Sequence, residues 1–581
     1  MCGIFGITGT TRHASDKVFE GLKNLEYRGY DSWGVALRSN AGIETIKQVG
    51  KISEAELPHS DAYEAMGHSR WATHGSVTQA NSHPHRVGNV VVVHNGIFEN
   101  YQEYKLILSE EYDFVSETDT EVIAALIHRN IQNGSSPQQA LRESAKAIQG
   151  RYAILVMFDD MPGMWAVRRG SPLIVGIGSD ETFIASDIPA FLEKTNVVNY
   201  IDDNQLAYLR NTEIDYWDLE TGEEIEKRDI TVEWDIQSAE KGDHPHFMIK
   251  EILEQKESIA RAINQNREQV DEFITALKKS AGIYIIGCGT AHKAAMATEY
   301  FFAKIAGKKV NVVAASEMES FMTFIKPNTA LVCISQSGET ADILEVVEYA
   351  QKVDATVLSI TNVDSSSLAR ASDVTLPIKV GPEKAVASTK ATTGQITIGF
   401  LLAHAFNDTF NEGLGILLGA AANINDMLNP RYEELICSIS KKIVDQDNMF
   451  IIGRGSLYPM ALEAAIKIQE VSYIHAQGFA AGELKHGPIA LIEEGTPCVV
   501  LGGDQQTISN ATEIRSRGAL IIGISQENNP AFDYWIRVPD AGDAQALVSL
   551  IPIQILAYHL ALERGLDPDM PRNLAKSVTV K

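Results

Sequence analysis

The sequence predicts two α/β architectures in one chain: a β-rich head with interspersed helices, followed by two doubly wound parallel sheets. Three observations carry that prediction. Apolar runs such as Val90-Val91-Val92-Val93 and Tyr152-Ala153-Ile154-Leu155-Val156-Met157-Phe158 crowd the first 236 residues and read as buried strands. Past residue 280, Tyr284-Ile285-Ile286-Gly287-Cys288-Gly289-Thr290 recurs as Phe450-Ile451-Ile452-Gly453-Arg454-Gly455-Ser456, each copy leading into a helical pattern. Between the two regions, around Glu240-Lys241-Gly242-Asp243-His244-Pro245-His246, the strand pattern stops. A long helical pattern then opens near Phe247, with Met248, Ile252, Ile259, Ala260 and Ile263.

At 581 residues the chain is too long for one core. The pattern divides it into a head at 2–236, a linker with leading helices at 237–280, doubly wound domains at 281–425 and 426–566, and a tail at 567–581. Further strands are expected at 330–334 and 357–360 in the first copy, and at 498–501 and 519–524 in the second. Such strand–loop–helix alternation argues for parallel sheets. The longest apolar stretch, 546–562, is interrupted by Pro552, Gln554 and His559 and reads as a buried helix rather than a membrane span. No leader segment is read at the start, and five scattered cysteines without metal-like spacing argue for a reducing cytoplasm. The formal charge of −26 argues against a nucleic-acid partner. It also requires an anionic small ligand to be held by backbone N–H and hydroxyl groups rather than by a basic field.

In the head, helices fit 16–24 and 118–133, the latter with Ser116, Thr118 and Asp119 as cap candidates. Cys2 would carry a thiol and a free amine on one residue once Met1 is removed. The amine pKa of about 7.7–8.0 lies close to the thiol's, near 8.5, so passing the proton between them costs only ~1 kcal/mol. A small residue entering a buried strand is the plainer use of Cys2. Three polar clusters follow: Tyr27-Arg28-Gly29-Tyr30-Asp31-Ser32; His68 to Gly75 with Asn81-Ser82-His83-Pro84-His85; and His94-Asn95-Gly96. Asn95-Gly96 at a strand end offers an amide and an unhindered N–H, as an oxyanion hole requires, or it is a tight turn. The histidines have neither a His-Glu-x-x-His pattern nor an adjacent cysteine pair, so no metal is expected. Arg70 and Asp119 suit the carboxylate and amine of an amino acid, or form an ion pair.

Taken together, these motifs resemble the glutaminase domain of the N-terminal-nucleophile amidotransferases, a fold of αββα layers. The resemblance implies that Cys2 attacks the side-chain amide of glutamine, giving a thioester and ammonia. It implies that Asn95 and Gly96 form the oxyanion hole and that Arg70, Thr73 and Asp119 hold the glutamine. His74 and Trp71 would line the pocket, Trp71 as a gate to the ammonia route. Trp33 departs from the alanine that many relatives carry after Asp-Ser.

In the later repeat neither copy has the full Gly-x-Gly-x-x-Gly fingerprint, and no Walker-type loop occurs, so neither a dinucleotide nor ATP is implied. Ser335-Gln336-Ser337-Gly338-Glu339-Thr340 runs from a strand end into a helix at 343–349. Three hydroxyls, a glycine and a helix N-terminus make a phosphate cradle without lysine, or a simple N-cap. The equivalent 502–507 loop lacks the serines and carries Asp504, which assigns phosphate to the first copy. Lys467 and Glu470 lie three apart and share a helix face, as in a surface ion pair.

Both copies resemble sugar isomerase (SIS) domains, and a head plus two such domains resembles the glucosamine-6-phosphate synthase family over essentially the full chain. That family implies a sugar-phosphate site of Thr290, Ser335, Gln336, Ser337, Thr340, Val386, Ser388 and Ala575. Ala291 departs from the usual serine, and Gln469 from a frequent lysine. In Pro571-Arg572-Asn573-Leu574-Ala575-Lys576 the resemblance makes Lys576 the amine that forms a Schiff base with open-chain fructose 6-phosphate. Glu470 would move the proton between C1 and C2, His486 assist ring opening, and Lys467 support proton shuttling near O1. The tail would close the sugar site and help form the ammonia channel. The implied substrates are glutamine and fructose 6-phosphate, with no cofactor, no metal, no membrane, and a homodimer in the cytoplasm. The other readings are an amidotransferase for a different phosphosugar and a sugar-phosphate sensor that does not turn over.

Overall fold

Strands Val90–Gly96 and Tyr152–Phe158 pair antiparallel and are buried along nearly their whole length, because apolar layers cover both of their faces. This computed structural model describes residues 2–9, 12–56, 60–232 and 241–578. They fall into two compact units, 1–238 with 575–581, and 239–574.

In the first unit an eight-stranded and a six-stranded antiparallel sheet stack face to face. The eight-stranded sheet sets Gly3–Gly9 at its middle, between Glu181–Ala185 and Glu64–Arg70. Ile4, Met66, Val91, Val93, Ala153 and Leu155 fill the space between sheets. Helix Ala14–Asn24 covers the outer face of one sheet through Val18 and Leu22. Helices Asp119–Gln132 and Pro137–Ala147 cover the other. The layers are therefore αββα. Trp33 is buried in the outer core and meets Phe19 edge-on at 5.7 Å. It fills packing space away from the pocket beside Cys2.

The second unit holds two five-stranded parallel sheets with the same strand order, 2-1-3-4-5 within each repeat. In the first, Gly282–Gly287 lies between Asn311–Ala314 and Thr329–Ser335, with Thr356–Thr361 and Val374–Pro377 beyond. In the second, Asn448–Gly453 lies between His475–Ala480 and Pro497–Leu501, with Leu520–Ser525 and Tyr534–Arg537 beyond. The direction of winding reverses between the first and third strands, and their carboxyl ends open the crevice where such sheets bind ligands. The Cys288–Thr290 turn and the 335–340 loop sit at that point.

The two copies are not separate cores. One apolar cluster runs through both sheets, the leading helices and the buried helix Gln545–Glu563. The latter is long and apolar enough to cross a membrane, but it is almost entirely covered by protein. The expected boundary at 425 falls inside helix Phe410–Met427. The leading segment is part of the core, with Met248, Ile252, Ile259 and Phe273 buried. Its single long helix resolves into Phe247–Leu253, Gln255–Ile263 and Arg267–Lys279. At the first break Glu254 is held by Lys250 at 3.1 Å and by the buried Lys390 at 2.5 Å. The head's expected end at 236 and the linker's start at 237 lie outside the described residues. The expected tail of 567–581 divides: residues up to Leu574 join the second unit, and Ala575–Lys581 join the first.

Beneath Cys2's strand the head buries a cluster of imidazoles. His68 and His83 stack at 4.0 Å, and His85 meets His83 at 5.0 Å. His68 Nε2 lies 3.0 Å from the His94 carbonyl, and His94 Nδ1 lies 3.0 Å from Thr120 Oγ1. Burial pushes all four below the usual histidine range, His68 to about 3. A histidine whose folded pKa is depressed contributes its full stability above the unfolded pKa, about 6.5, and loses it as pH falls below that value. His68 alone then costs the head about 2 kcal/mol by pH 5. Five of the six tryptophans lie in the first 236 residues, so tryptophan fluorescence in urea reads the head. Its midpoint is expected to drop between pH 7 and pH 5, and to drop less in His68→Gln. A midpoint unchanged over that range would refute the neutral cluster.

Candidate active sites

Cys2 enters strand Gly3–Gly9 at the edge of a small cleft lined also by Arg70, Trp71, Thr73, His74, Gly96 and Asp119. Seven predicted residues from four sequence regions therefore converge. The Trp71 N–H donates to Cys2 Sγ at 3.2 Å, and the thiol lies 3.4 Å from the Trp71 carbonyl. Burial pushes the thiol's pKa up; the Trp71 N–H and the Arg70 charge oppose this, and Asp31 adds to it. Asp31 Oδ2 accepts the Ala72 N–H at 2.9 Å, fixing the chain just past Trp71. Trp71 meets Tyr30 edge-on at 5.8 Å.

Gly96 has φ +132°, and a side chain there would put Cβ 2.1 Å from the Arg151 carbonyl oxygen. Only glycine ends this strand without displacing its neighbour. Asn95 is placed differently from an exposed oxyanion donor. Its amide donates to the Cys2 carbonyl at 2.9 Å and to Ser186 Oγ at 2.8 Å, so both N–H bonds point behind Cys2. Asn95 reaches an oxyanion in the cleft only after its side chain turns. Asp119 opens its helix, accepts the Phe98 N–H at 2.8 Å and lies 3.9 Å from His94 Nδ1.

Arg70 ends strand Glu64–Arg70, and its guanidinium binds the carbonyls of His74, Gly75 and Ser76. The 73–76 loop is pinned from its other side by Glu117. That carboxylate accepts from the Ser76 N–H at 2.9 Å, the Ser76 hydroxyl at 2.8 Å and the Asn81 amide at 2.8 Å. These donors pull its pKa down to about 2. Sequence reasoning missed Glu117, Ser186 and Arg28, whose Nε donates to the Cys2 carbonyl at 3.4 Å. Arg28 stood in the first polar cluster. Glu117 and Ser186 carried no local signal, because their partners lie 36 to 182 residues away.

In the second unit, Ser335 Oγ lies 3.1 Å from Thr340 Oγ1 and accepts the Gly338 N–H at 3.0 Å; Ser337 Oγ accepts the Glu339 N–H at 3.2 Å. Gly338 has φ +67°, and a Cβ there would sit 2.0 Å from Ser366 Oγ. The loop thus curls tightly over the start of helix Ala341–Lys352, whose first-turn N–H groups donate no bond to the Thr340 side chain. The equivalent turn of the second copy is closed by Asp504, which takes the Gln506 and Thr507 N–H groups. The first copy's helix start therefore has no side-chain cap, whereas the second copy's is closed by a carboxylate. The Gln336 carbonyl accepts the Asn362 N–H at 3.1 Å. The Val386 N–H donates to the Asp569 carbonyl at 3.1 Å, and Ser388 Oγ to Glu383 at 3.2 Å.

Lys467 and Glu470 do share a face of helix Leu457–Ser472, 2.6 Å apart, but not on an exposed surface. Lys467 is completely buried, and a second carboxylate, Glu463, lies 3.5 Å from its Nζ. Glu463 was missed, although the spacing Glu463–Lys467–Glu470 in an apolar helix marked it. Gln469 points elsewhere and donates to the Ala476 carbonyl at 2.5 Å. His486 is exposed on a short turn, Leu484–His486. Ala575 and Lys576 belong to the first compact unit, whereas Lys467, Glu470 and His486 belong to the second.

These features define a class: a glutamine amidotransferase head joined to a pair of SIS domains. The glutamine amidotransferase domain family matches residues 68–193, and the SIS domain family matches 276–405 and 442–564. The glutamine–fructose-6-phosphate aminotransferases (isomerizing) of Thermococcus kodakarensis and Pyrococcus horikoshii are 39% and 41% identical to this chain, each over 100% of both chains. The solved C-terminal domain of glucosamine-fructose-6-phosphate aminotransferase from Francisella tularensis is 32% identical, covers 57% of this chain and 99% of its own, and superposes with a TM-score of 0.53. The chain belongs to the glutamine–fructose-6-phosphate aminotransferase (isomerizing) family.

The double grip on the 73–76 loop has a direct readout. In Glu117→Ala, amide hydrogen exchange is expected to quicken at 74–81 while Glu64–Arg70 and Val90–Gly96 keep their protection. Unchanged protection at 74–81 would show that Arg70 alone holds the loop.

Proposed function

We propose that the chain converts fructose 6-phosphate and glutamine into glucosamine 6-phosphate and glutamate. The observation that carries this reading is the pairing, in one chain of this family, of a cysteine cleft rimmed by Arg70 and Asp119 with a second unit in which Thr290, at a strand-end turn of the first copy, meets the Glu463–Lys467–Glu470 helix face of the second. In the head, the Cys2 thiolate attacks the glutamine side-chain amide. The carbon–nitrogen bond breaks, ammonia leaves with a proton, and water releases glutamate from the thioester. Arg70 and Asp119 offer opposite charges to the amino acid's carboxylate and amine. The free amine of Cys2, exposed by removal of Met1, carries the thiol proton; Met1 lies outside the described residues.

In the isomerase half, Ser335, Ser337, Thr340 and the start of their helix hold the phosphate, with Thr290, Gln336, Val386 and Ser388 around the sugar. Lys576 forms a Schiff base at C2 of the open-chain ketose with loss of water. Ammonia then adds at C2 and expels the Lys576 amine. Glu470 takes a proton from C1 and returns it at C2, leaving the amine on C2 and the aldehyde at C1. Lys467 steadies that exchange near O1, and His486 assists ring opening. Ammonia made at Cys2 is passed to the sugar rather than released, in a cytoplasmic homodimer. Support for these finer assignments comes from the family resemblance and from the site geometry already described.

Two measurements test the two halves separately. Cys2→Ala is expected to lower glutamine hydrolysis by about three orders of magnitude or more, while fructose 6-phosphate isomerisation without glutamine persists. Retained glutaminase activity would remove Cys2 as the nucleophile. Borohydride added with fructose 6-phosphate is expected to label Lys576, as read by peptide mass spectrometry; label confined to another lysine would reassign the Schiff base.

A further inference from the structure

Helix Leu457–Ser472 sets Glu463, Lys467 and Glu470 on one face at i, i+4 and i+7. Its other buried positions are apolar or small, among them Met460, Ala464, Ile468 and Val471. Two contacts make Glu463 unusual. Its Oε1 accepts a hydrogen bond from the Thr290 hydroxyl at 3.1 Å, across from the first sheet's ligand-binding turn. Its Oε2 is buried and meets no donor among the described residues. Glu463 and Lys467 are both fully buried while Glu470 is half-buried, and burying such a pair of ions costs several kcal/mol per ion, which a nearby attraction rarely recovers. An isolated stabilising role therefore explains the arrangement poorly, whereas orientation explains it well.

We propose that Glu463 is a positioning residue of the sugar site: it holds the Lys467 ammonium toward Glu470 and ties that pair to Thr290 of the first copy. The inference rests on the reading that Lys467 and Glu470 act on the sugar. The charges facing Glu463 are Lys467 and Glu470 on its own helix and Lys293 on helix Gly289–Lys304; Glu383, from the 383–390 loop, acts on Lys467. Burial opposes the Lys467 charge, but Glu470 and Glu463 outweigh it and raise its pKa. Lys467 thus stays an ammonium. Burial pushes Glu463 up to about 7, against the pull of Lys467. Above that pH two carboxylates share the ammonium. Below it Glu463 is neutral, Lys467 rests on Glu470 alone, and Glu470 becomes the weaker base. The rate of C1 proton removal should then fall as pH drops through about 7.

The test measures exchange of the C1 hydrogen of fructose 6-phosphate with solvent, without glutamine, across pH 6–9 in the full-length protein. Glutamine hydrolysis, which uses the Cys2 site, serves as the folding control. Glu463→Gln is expected to lower kcat tenfold to about a hundredfold with KM within about threefold, and to abolish the acid limb near neutrality. Thr290→Val removes a donor that favours the charged carboxylate, so its acid limb should move to higher pH. Glu463→Gln with wild-type kcat and an unchanged limb overturns the proposal, as does an unmoved limb in Thr290→Val. Glu470→Gln separates this from the reading beneath it. If that variant still exchanges the C1 hydrogen, the assignment of Glu470 as base falls and this proposal with it; if it is inactive while Glu463→Gln is normal, only the proposal falls.

Discussion

Helices Gly289–Lys304 and Leu457–Ser472 pack directly on one another in a core that runs unbroken through both parallel sheets. Each helix follows the first strand of its repeat, so the contact brings equivalent elements of the two copies face to face. The consequence is chemical. Thr290, in the first turn of one helix, touches Glu463 in the other, and Lys467 and Glu470 follow on the same face. Duplication alone would have produced two similar crevices. Packing them about a shared apolar seam sets the hydroxyl-bearing turn of one copy against the ionisable groups of the other.

The divergence of the copies follows the same division of labour. At the third strand's end the first copy curls through Gly338 with its hydroxyls turned inward, and the following helix start is left without a side-chain cap. The second copy spends the same position on Asp504, which satisfies that helix itself. A capped helix is the more stable one; an uncapped one retains its N–H groups for a ligand. The head is organised by a comparable trade. Cys2 immediately precedes a central strand of the sandwich, where burial disfavours its thiolate, and the surrounding dipoles and Arg70 offset part of that cost.

Much of this was legible from residues in a row. The strands at Val90–Gly96 and Tyr152–Phe158, the repeated strand–glycine–helix unit and the buried helix Gln545–Glu563 all carried their own apolar patterns. Arg70, Trp71, Thr73, His74 and Gly96 were marked by polar clusters and Asp119 by its place at a helix start, and they meet at Cys2. Asn95 belonged to the same cluster, yet its amide faces the strand behind Cys2, because the acceptor that captures it, Ser186, is 91 residues away. Glu117 escaped notice for the same reason. The boundary expected at 425 falls in the last turn of helix Phe410–Met427, and nothing local reports that both sheets bury the same helices.

The sequence by itself determined the order of parts, the αββα and parallel-sheet classes, the family, and which residues could carry chemistry. Those properties depend on short-range periodicity and on motifs that keep their spacing. Only the tertiary structure decided which of those residues share an environment. It made Lys467 a buried ammonium between two carboxylates rather than half of a surface pair, and it placed Glu463 against a threonine 173 residues earlier. Burial and long-range contact set the charge state of such groups, and neither is written in the neighbours of a residue along the chain.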